Sequence, residues 1–505
     1  MGNGVARYIK PAPGSFGVFS LRFHVSFGVF SLLHATTEVQ DLVQSAIKQL
    51  WPGGLLKTQK PHDAVRAYQL GDYNKDTFWQ QSTAFTLFCS LLETLADAGW
   101  HLAVATDMFL TLDDAEYIFR YDEDGGKGHV CCVRVKGVDR VQLVNTPSGV
   151  HSIVHKTFAK YCKSVSVVHE ETTGSRTPFE IKIDGHPWHP KSVAEQIATC
   201  KQLTSMFTEL YALNYELVAP ACLDGELDTI FFREDPVLAE PKHADFAMIL
   251  LTESDGMMLV KFPKDVQLMV KRLIERYWTQ GLSKFKQEED EVITLHLKGH
   301  PWHAQTTSKE MSNEMRVFLL TMLEELTNVG WQLICTIDTS MATDDKSAFL
   351  FKFGEKRSEK YLGIQPMGKD SLWLIMMPEA ESQLINKVLN STLGPDAIVD
   401  HDPLGDSSEV YNLKGSPWSP AQSSDALLAR HVFSVIIAAL RTLGWTVVCS
   451  ADLQDDTRTV TTETTAPDSP GKTKKEKKHA RTLKTTVETS ADLHFLIFRK
   501  STELF

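Results

Sequence analysis

The feature that most restricts this chain is an internal repeat. A helix-like run ends at Gly99-Trp100, Gly330-Trp331 and Gly444-Trp445, and a fourth copy reads Asn214-Tyr215. The aromatics recur about every 115 residues, a period that calls for tandem domains rather than a thin solenoid. Asn for Gly is the exchange expected where a helix stops in the left-handed region, which Asn tolerates best after Gly.

Each copy repeats one order of patterns. The helix before the stop carries an apolar stripe at spacings of three, four and seven: Phe88, Leu91, Leu92, Leu95; Leu203, Met206, Phe207, Leu210; Leu319, Met322, Leu323, Leu326; Phe433, Ile436, Ile437, Leu440. Such a stripe buries one helix face. The aromatic after the stop opens an alternating strand, as in Trp331, Leu333, Cys335, Ile337. A second strand ends in a cation: Arg120, Arg233, Lys352 and Arg499. Another amphipathic helix lies upstream, following Pro147, Pro263 and Pro378, with Thr36 in their place in the first copy. Proline suits the first helical position because it lacks an N–H. Two apolar runs precede this helix, and one strand ending in glycine separates the two helices.

These patterns predict an α+β chain of four tandem repeat modules, each a mainly antiparallel sheet with two helices in the order β-β-α-β-α-β-β. The modules span 15–121, 129–233, 244–353 and 360–500, joined by polar or Pro/Gly-containing segments. Five strands per sheet are expected, with both helices on one face. Within the fourth module, residues 455–490 are rich in Thr, Lys and Glu and read as a disordered insertion. In the first module, Ser-Phe-Gly-Val-Phe-Ser-Leu occurs twice, at 15–21 and 26–32, as a duplicated strand or a flawed start.

The chain has 505 residues with a net charge of -12, 43% hydrophobic and 23% charged. That is the composition of soluble globular domains, and the acidity argues against general nucleic-acid binding. The eight cysteines, Cys89, Cys131, Cys132, Cys162, Cys200, Cys222, Cys335 and Cys449, form no CxxC pair. They read as buried thiols of a reducing compartment. No stretch suits a membrane span. Localisation is expected to be cytoplasmic or nuclear. The first 35 residues leave their own definition and lipidation open.

Candidate sites are few. Gly-His-Pro-Trp-His recurs at 185–189 and 299–303, and becomes Gly-Ser-Pro-Trp-Ser at 415–419. Paired histidines invite zinc, but Ser stands in both places in the fourth copy, and the shared chemistry is that of turns and helix starts. The Trp residues read as wedges in the core. Asp107, Asp338 and Asp452 follow the strand that opens on Trp, and one Asp per copy is a turn residue before it is a catalyst. The strand-end cations read as guards of a sheet edge. No phosphate loop, nucleophile elbow or dinucleotide fingerprint is present. No cofactor, metal or catalytic residue is expected. In the insertion, Ser469 is a candidate regulatory phosphorylation site. Lys474, Lys475, Lys477, Lys478 and Arg481 are a candidate import signal or contact for an acidic partner.

The leading functional reading is a non-catalytic intracellular scaffold with protein partners, since repeated copies multiply weak contacts. A small-molecule or lipid binder, with a pocket between helices and sheet, competes with it. So does an enzyme whose site lies between modules.

Overall fold

The computed structural model describes residues 10–11, 17–78, 82–106, 115–170, 178–223, 228–235, 242–303, 307–338, 346–419, 423–454 and 493–502. The first module runs β1 (Val18–His24), β2 (Val29–Leu33), α1 (Thr37–Leu50), β3 (Leu55–His62), β4 (Val65–Leu70), a short α2 (Lys75–Phe78), α3 (Ser82–Asp97), β5 (Trp100–Thr106) and β6 (Glu116–Tyr121). The second runs β7 (Val130–Lys136), β8 (Arg140–Val144), α4 (Ser148–Ala159), β9 (Val165–Glu170), β10 (Phe179–Ile183), α5 (Val193–Ala212), β11 (Tyr215–Cys222) and β12 (Asp228–Glu234). The third runs β13 (Phe246–Thr252), β14 (Gly256–Val260), α6 (Lys264–Tyr277), β15 (Leu282–Glu289), β16 (Val292–Leu297), α7 (Lys309–Asn328), β17 (Trp331–Ile337) and β18 (Ala348–Phe353). The fourth runs β19 (Glu359–Met367), β20 (Ser371–Ile375), α8 (Glu379–Leu393), β21 (Ile398–Pro403), β22 (Ser408–Leu413), α9 (Ser423–Thr442), β23 (Thr446–Ala451) and β24 (Phe495–Ser501).

Four α+β units with antiparallel sheets are therefore present, and each sheet has six strands rather than five. The added strand follows the first helix, so the order is β-β-α-β-β-α-β-β. The first sheet is ordered β3-β4-β2-β1-β6-β5, and the other three sheets have the same arrangement. The added strands carried no readable signal because they lie at the outer edge. In β3 every residue after Leu55 is exposed, so no face alternates. The duplicated segment makes both strands of the first hairpin, with Phe23 opposite Phe30.

Local chemistry explains the ends of the helices. Gly99, Gly330 and Gly444 have φ of 89°, 101° and 86°, and Asn214 takes the same left-handed role at 64°. The prolines stand one position earlier than expected, as the residue that caps the helix. Pro147, Pro263 and Pro378 have φ of -71°, -60° and -66° with extended ψ. Thr36 occupies that place in α1 and accepts from the Val39 N–H. A fixed φ near -65° fits an extended cap as well as a first turn.

The modules close into a ring. The second helix of each packs on the first strand of the next: α3 on β7, α5 on β13, α7 on β19, and α9 back on β1. Alternation along these strands divides their side chains between two layers. Phe19, Leu21 and Phe23 join the core made with α1 and α3. Val18 joins the core that contains α9. Likewise Ala247, Ile249 and Leu251 face their own helices, while Phe246, Met248 and Leu250 face α5. The sheets are thus covered on both faces, once by their own helices and once by a neighbour's.

The strands that open on the aromatic meet at the centre, β5 with β11 and β23, and β17 with β11 and β23. Each carries a register shift at the same place, between Leu102/Val104, Leu217/Ala219, Leu333/Cys335 and Val447/Cys449. A bulge bends an edge strand, which lets four edges converge. The opposite edges, β3, β9, β15 and β21, lie at the rim.

Candidate functional site

The Trp motifs come first because they had suggested a metal. Trp188, Trp302 and Trp418 are at most 1% exposed. Each indole N–H donates to a carbonyl of the first hairpin of its own module: Trp188 to Arg140 at 3.0 Å, Trp302 to Gly256 at 2.8 Å, Trp418 to Ser371 at 2.8 Å. Each backbone N–H adds a second tie, to Val138, Ser254 and Lys369. Turns from His189 to His186, His303 to His300 and Ser419 to Ser416 are alike. The backbone turn is thus the same with serine as with histidine, and the His300 ring adds an exposed contact of 2.8 Å to Ser254 Oγ. In the first module the Tyr73 hydroxyl donates to the Val25 carbonyl. A methyl at Gly28 would sit 2.3 Å from the Tyr73 ring, so only glycine admits that approach.

Among the described residues, Glu253, Asp255 and His296 form the one group with three metal-type ligand atoms close together. It involves none of the motif histidines. His296 Nδ1 lies 3.1 Å from Asp255 Oδ1, an ion-pair geometry joining a hairpin turn to β16.

The aspartates after the Trp-led strands sit where modules meet near the centre. The Asp338 N–H donates to Asp228 Oδ2 of the second module at 2.7 Å. The Asp452 N–H donates to Ser347 Oγ of the third at 2.9 Å, and its own carboxylate accepts from the Gln454 N–H at 3.3 Å. Asp107 lies outside the described residues. Nearby, Ser450 Oγ lies 2.7 Å from Thr106 Oγ1 and 3.0 Å from His494 Nδ1. The Ser450 carbonyl accepts from Thr336 Oγ1. Together these groups stitch the four modules to one another.

The strand-end cations do not guard an edge. Their strands, β6, β12, β18 and β24, lie inside the sheets, next to the first strand of each module. Arg120 pairs with Asp122 at 3.5 Å, Arg233 with Glu216 at 3.4 Å and Arg499 with Glu359 at 3.7 Å. Lys352 lies 4.7 Å over the Tyr211 ring of the preceding module.

A set of residues that the sequence reading passed over forms the joints. His34, Asn145, Lys261 and Met376 occupy equivalent places before the first helix, with left-handed φ of 64°, 60°, 64° and 51°. Three of them reach the preceding module's second helix. His34 Nε2 lies 2.6 Å from His431 Nδ1, Lys261 Nζ donates to Ser205 Oγ at 3.2 Å, and Met376 Sδ lies 4.0 Å from Thr321 Oγ1. The signal for them was available: each stands two residues before Thr36 or the capping proline.

The Lys261 joint has the chemistry of an activated nucleophile. Ser205 Oγ also meets the Tyr161 hydroxyl at 2.8 Å. Burial pulls the Lys261 ammonium below its ordinary range. Burial alone would raise Tyr161, but Ser205 and the nearby lysines bring it down. An amine beside a serine hydroxyl is a known activating pair. Here, however, Ser205 sits inside α5, where backbone N–H groups are spent on the helix and cannot hold an oxyanion. Thr321 and Met376 fill the same joint in the next pair of modules. The cluster is a joint first.

The best-formed cavity among the described residues is lined by Leu21, Phe88, Leu92, Tyr117 and Phe231 and has a volume of about 10 Å³. That is room for about one water. No described helix is long and apolar enough to cross a membrane. None of the eight cysteines is in a disulfide. The predicted contacts Ser469, Lys474, Lys475, Lys477, Lys478 and Arg481 lie outside the described residues.

No curated protein and no solved structure matches the chain. One domain-family model matches it four times in succession, at residues 19–119, 129–233, 245–352 and 360–466. The chain belongs to the family that this domain defines, and it carries four copies.

Proposed function

We propose that the chain is a non-catalytic scaffold whose ring holds four divergent sheet edges outward for protein partners. The observation that carries this reading is the chemistry of the rim. Each outer strand exposes at least one large apolar side chain: Leu56 at 68%, Val167 at 47%, Val168 at 44%, Phe285 at 39% and Val399 at 69%. An open edge offers unpaired N–H and C=O groups to an added strand, and alternate side chains give selectivity. The four edges differ: β3 carries Lys57, Lys60 and Pro61, β15 carries Lys284 and Lys286, and β21 carries Asp400, Asp402 and Pro403. Only β9, with Val167 and Val168, is described without a lysine or proline on it. Four different edges on one ring suit several partners or one multivalent one.

The test is quantitative crosslinking of the full chain in cell extract, beside variants with proline at Leu56, Val168, Phe285 and Val399. Loss of specific partners with specific edges supports the scaffold. An unchanged partner set with all four edges blocked, or a chain recovered only as monomer, overturns it. The basic run at Lys474, Lys475, Lys477, Lys478 and Arg481 is proposed as a further acidic-partner contact or import signal, and Ser469 as its regulator. Deleting residues 455–490 and following both binding and location tests this.

A further inference from the structure

We propose that His34 and His431 form an acid-operated latch on the joint that closes the ring between the fourth module and the first. This joint differs from the other three. The others link modules that are consecutive in the chain and stay tethered when a contact fails, whereas this one joins the two ends. The two imidazoles, both half-buried, meet across it with nitrogens 2.6 Å apart and ring centroids 4.6 Å apart. At that distance one ring donates and the other accepts, so at least one ring must stay neutral, and protonation of both breaks the contact.

The surroundings penalise added protons. On α9, Arg430 stands next to His431 and its guanidinium is buried. On β1, Arg22 is buried opposite Glu116 in the strand register. His62, at the end of β3, adds a further repulsion when charged. Glu116 on β6, the buried carboxylate of the region, pairs with Arg430 through Oε1 at 2.7 Å. Arg66 on β4 is held by Gln40. Glu38 and Asp41 of α1 are exposed. Burial first, then His431 and Arg430, hold His34 down to about 4, and burial lowers His431.

The sign follows. An opened joint exposes both rings, which then take protons near their ordinary pKa of about 6.5. The closed joint resists protonation until about pH 4. Closure is therefore fully favoured above about pH 6.5 and weakens as pH falls through that window. Opening frees the face of β1 that carries Val18, Ser20 and Arg22.

The experiment follows the full chain from pH 7.5 to 4 by small-angle scattering, with amide exchange to locate the change and far-ultraviolet circular dichroism to confirm retained structure. The expected result is an increase in radius of gyration with secondary structure intact. Exchange in α9 and β1 should rise roughly a hundredfold relative to the other joints by pH 4, the effect of about two pKa units. His34→Asn should stay closed at the pH where the native chain opens, since Asn145 shows that Asn adopts this backbone. Should that variant lose its thermal transition at pH 7.5, His431→Gln reads the same quantity. A native chain that keeps its dimensions to pH 4, first opening at another joint, or variants that open with the native profile would each overturn the latch.

Discussion

Arg430 and Glu116 are 314 residues apart in the chain and 2.7 Å apart in space, with side chains 2% and 1% exposed. The Arg430 guanidinium also donates to Ser31 Oγ at 3.0 Å, the Ser31 carbonyl at 3.2 Å and Ser20 Oγ at 3.3 Å. Removing one member of a buried pair strands the other charge, at a cost of about 3–5 kcal/mol. Arg430→Met is expected to lose that much in urea unfolding. Arg430→Met combined with Glu116→Leu should recover most of it, because both charges leave together.

The Trp wedge makes a second prediction. Trp302 is fully buried and its indole ties the turn at Gly256. Trp302→Ala should destabilise by about 3–5 kcal/mol, from the lost ring and the cavity. Trp302→Phe keeps most of the ring and should cost roughly 2 kcal/mol less. Substituting both His300 and His303 by Ser should move the midpoint little, as the fourth module already has Ser in both places.

Helix stops separate backbone from side chain. Gly330→Ala places a methyl at φ 101°, 2.8 Å from the Gly354 carbonyl, and should cost about 1–2 kcal/mol or more. Asn214→Gly at φ 64° should change stability by less than about 1 kcal/mol. Thermal unfolding of the two variants side by side decides this.

His101 gives stability its own acid dependence. Burial first, and then Arg233 of the next module, hold it down to about 4. Unfolding lets it take a proton near its ordinary value, so stability present above about pH 6.5 is lost as pH falls towards 4. His101→Gln should flatten the slope of unfolding free energy against pH in that interval.

What the sequence disclosed follows from burial on one side. The stripe of Leu319, Met322, Leu323 and Leu326 announced α7, because those residues meet their own sheet. Arg316 on the same helix did not announce its role. It bonds Gln365 of the next module and stacks over Trp373 at 5.4 Å, a contact that helical periodicity does not encode. The outer strands were illegible for the opposite reason, having no buried face to alternate. The cations at Arg120 and Lys352 were misplaced at an edge because strand order is a long-range property. The joints were overlooked because His34, Asn145, Lys261 and Met376 share a backbone conformation and no chemistry.

Ring closure has a consequence for the chain's connectivity. Because the fourth module packs against the first through the same pair of elements as every other neighbouring pair, the ring has no module that must come first in sequence. A permuted chain, its old ends bridged by a flexible linker and newly opened within residues 354–359, should rebuild the same body. Two fragments cut there, one of three modules and one of a single module, should find each other when mixed.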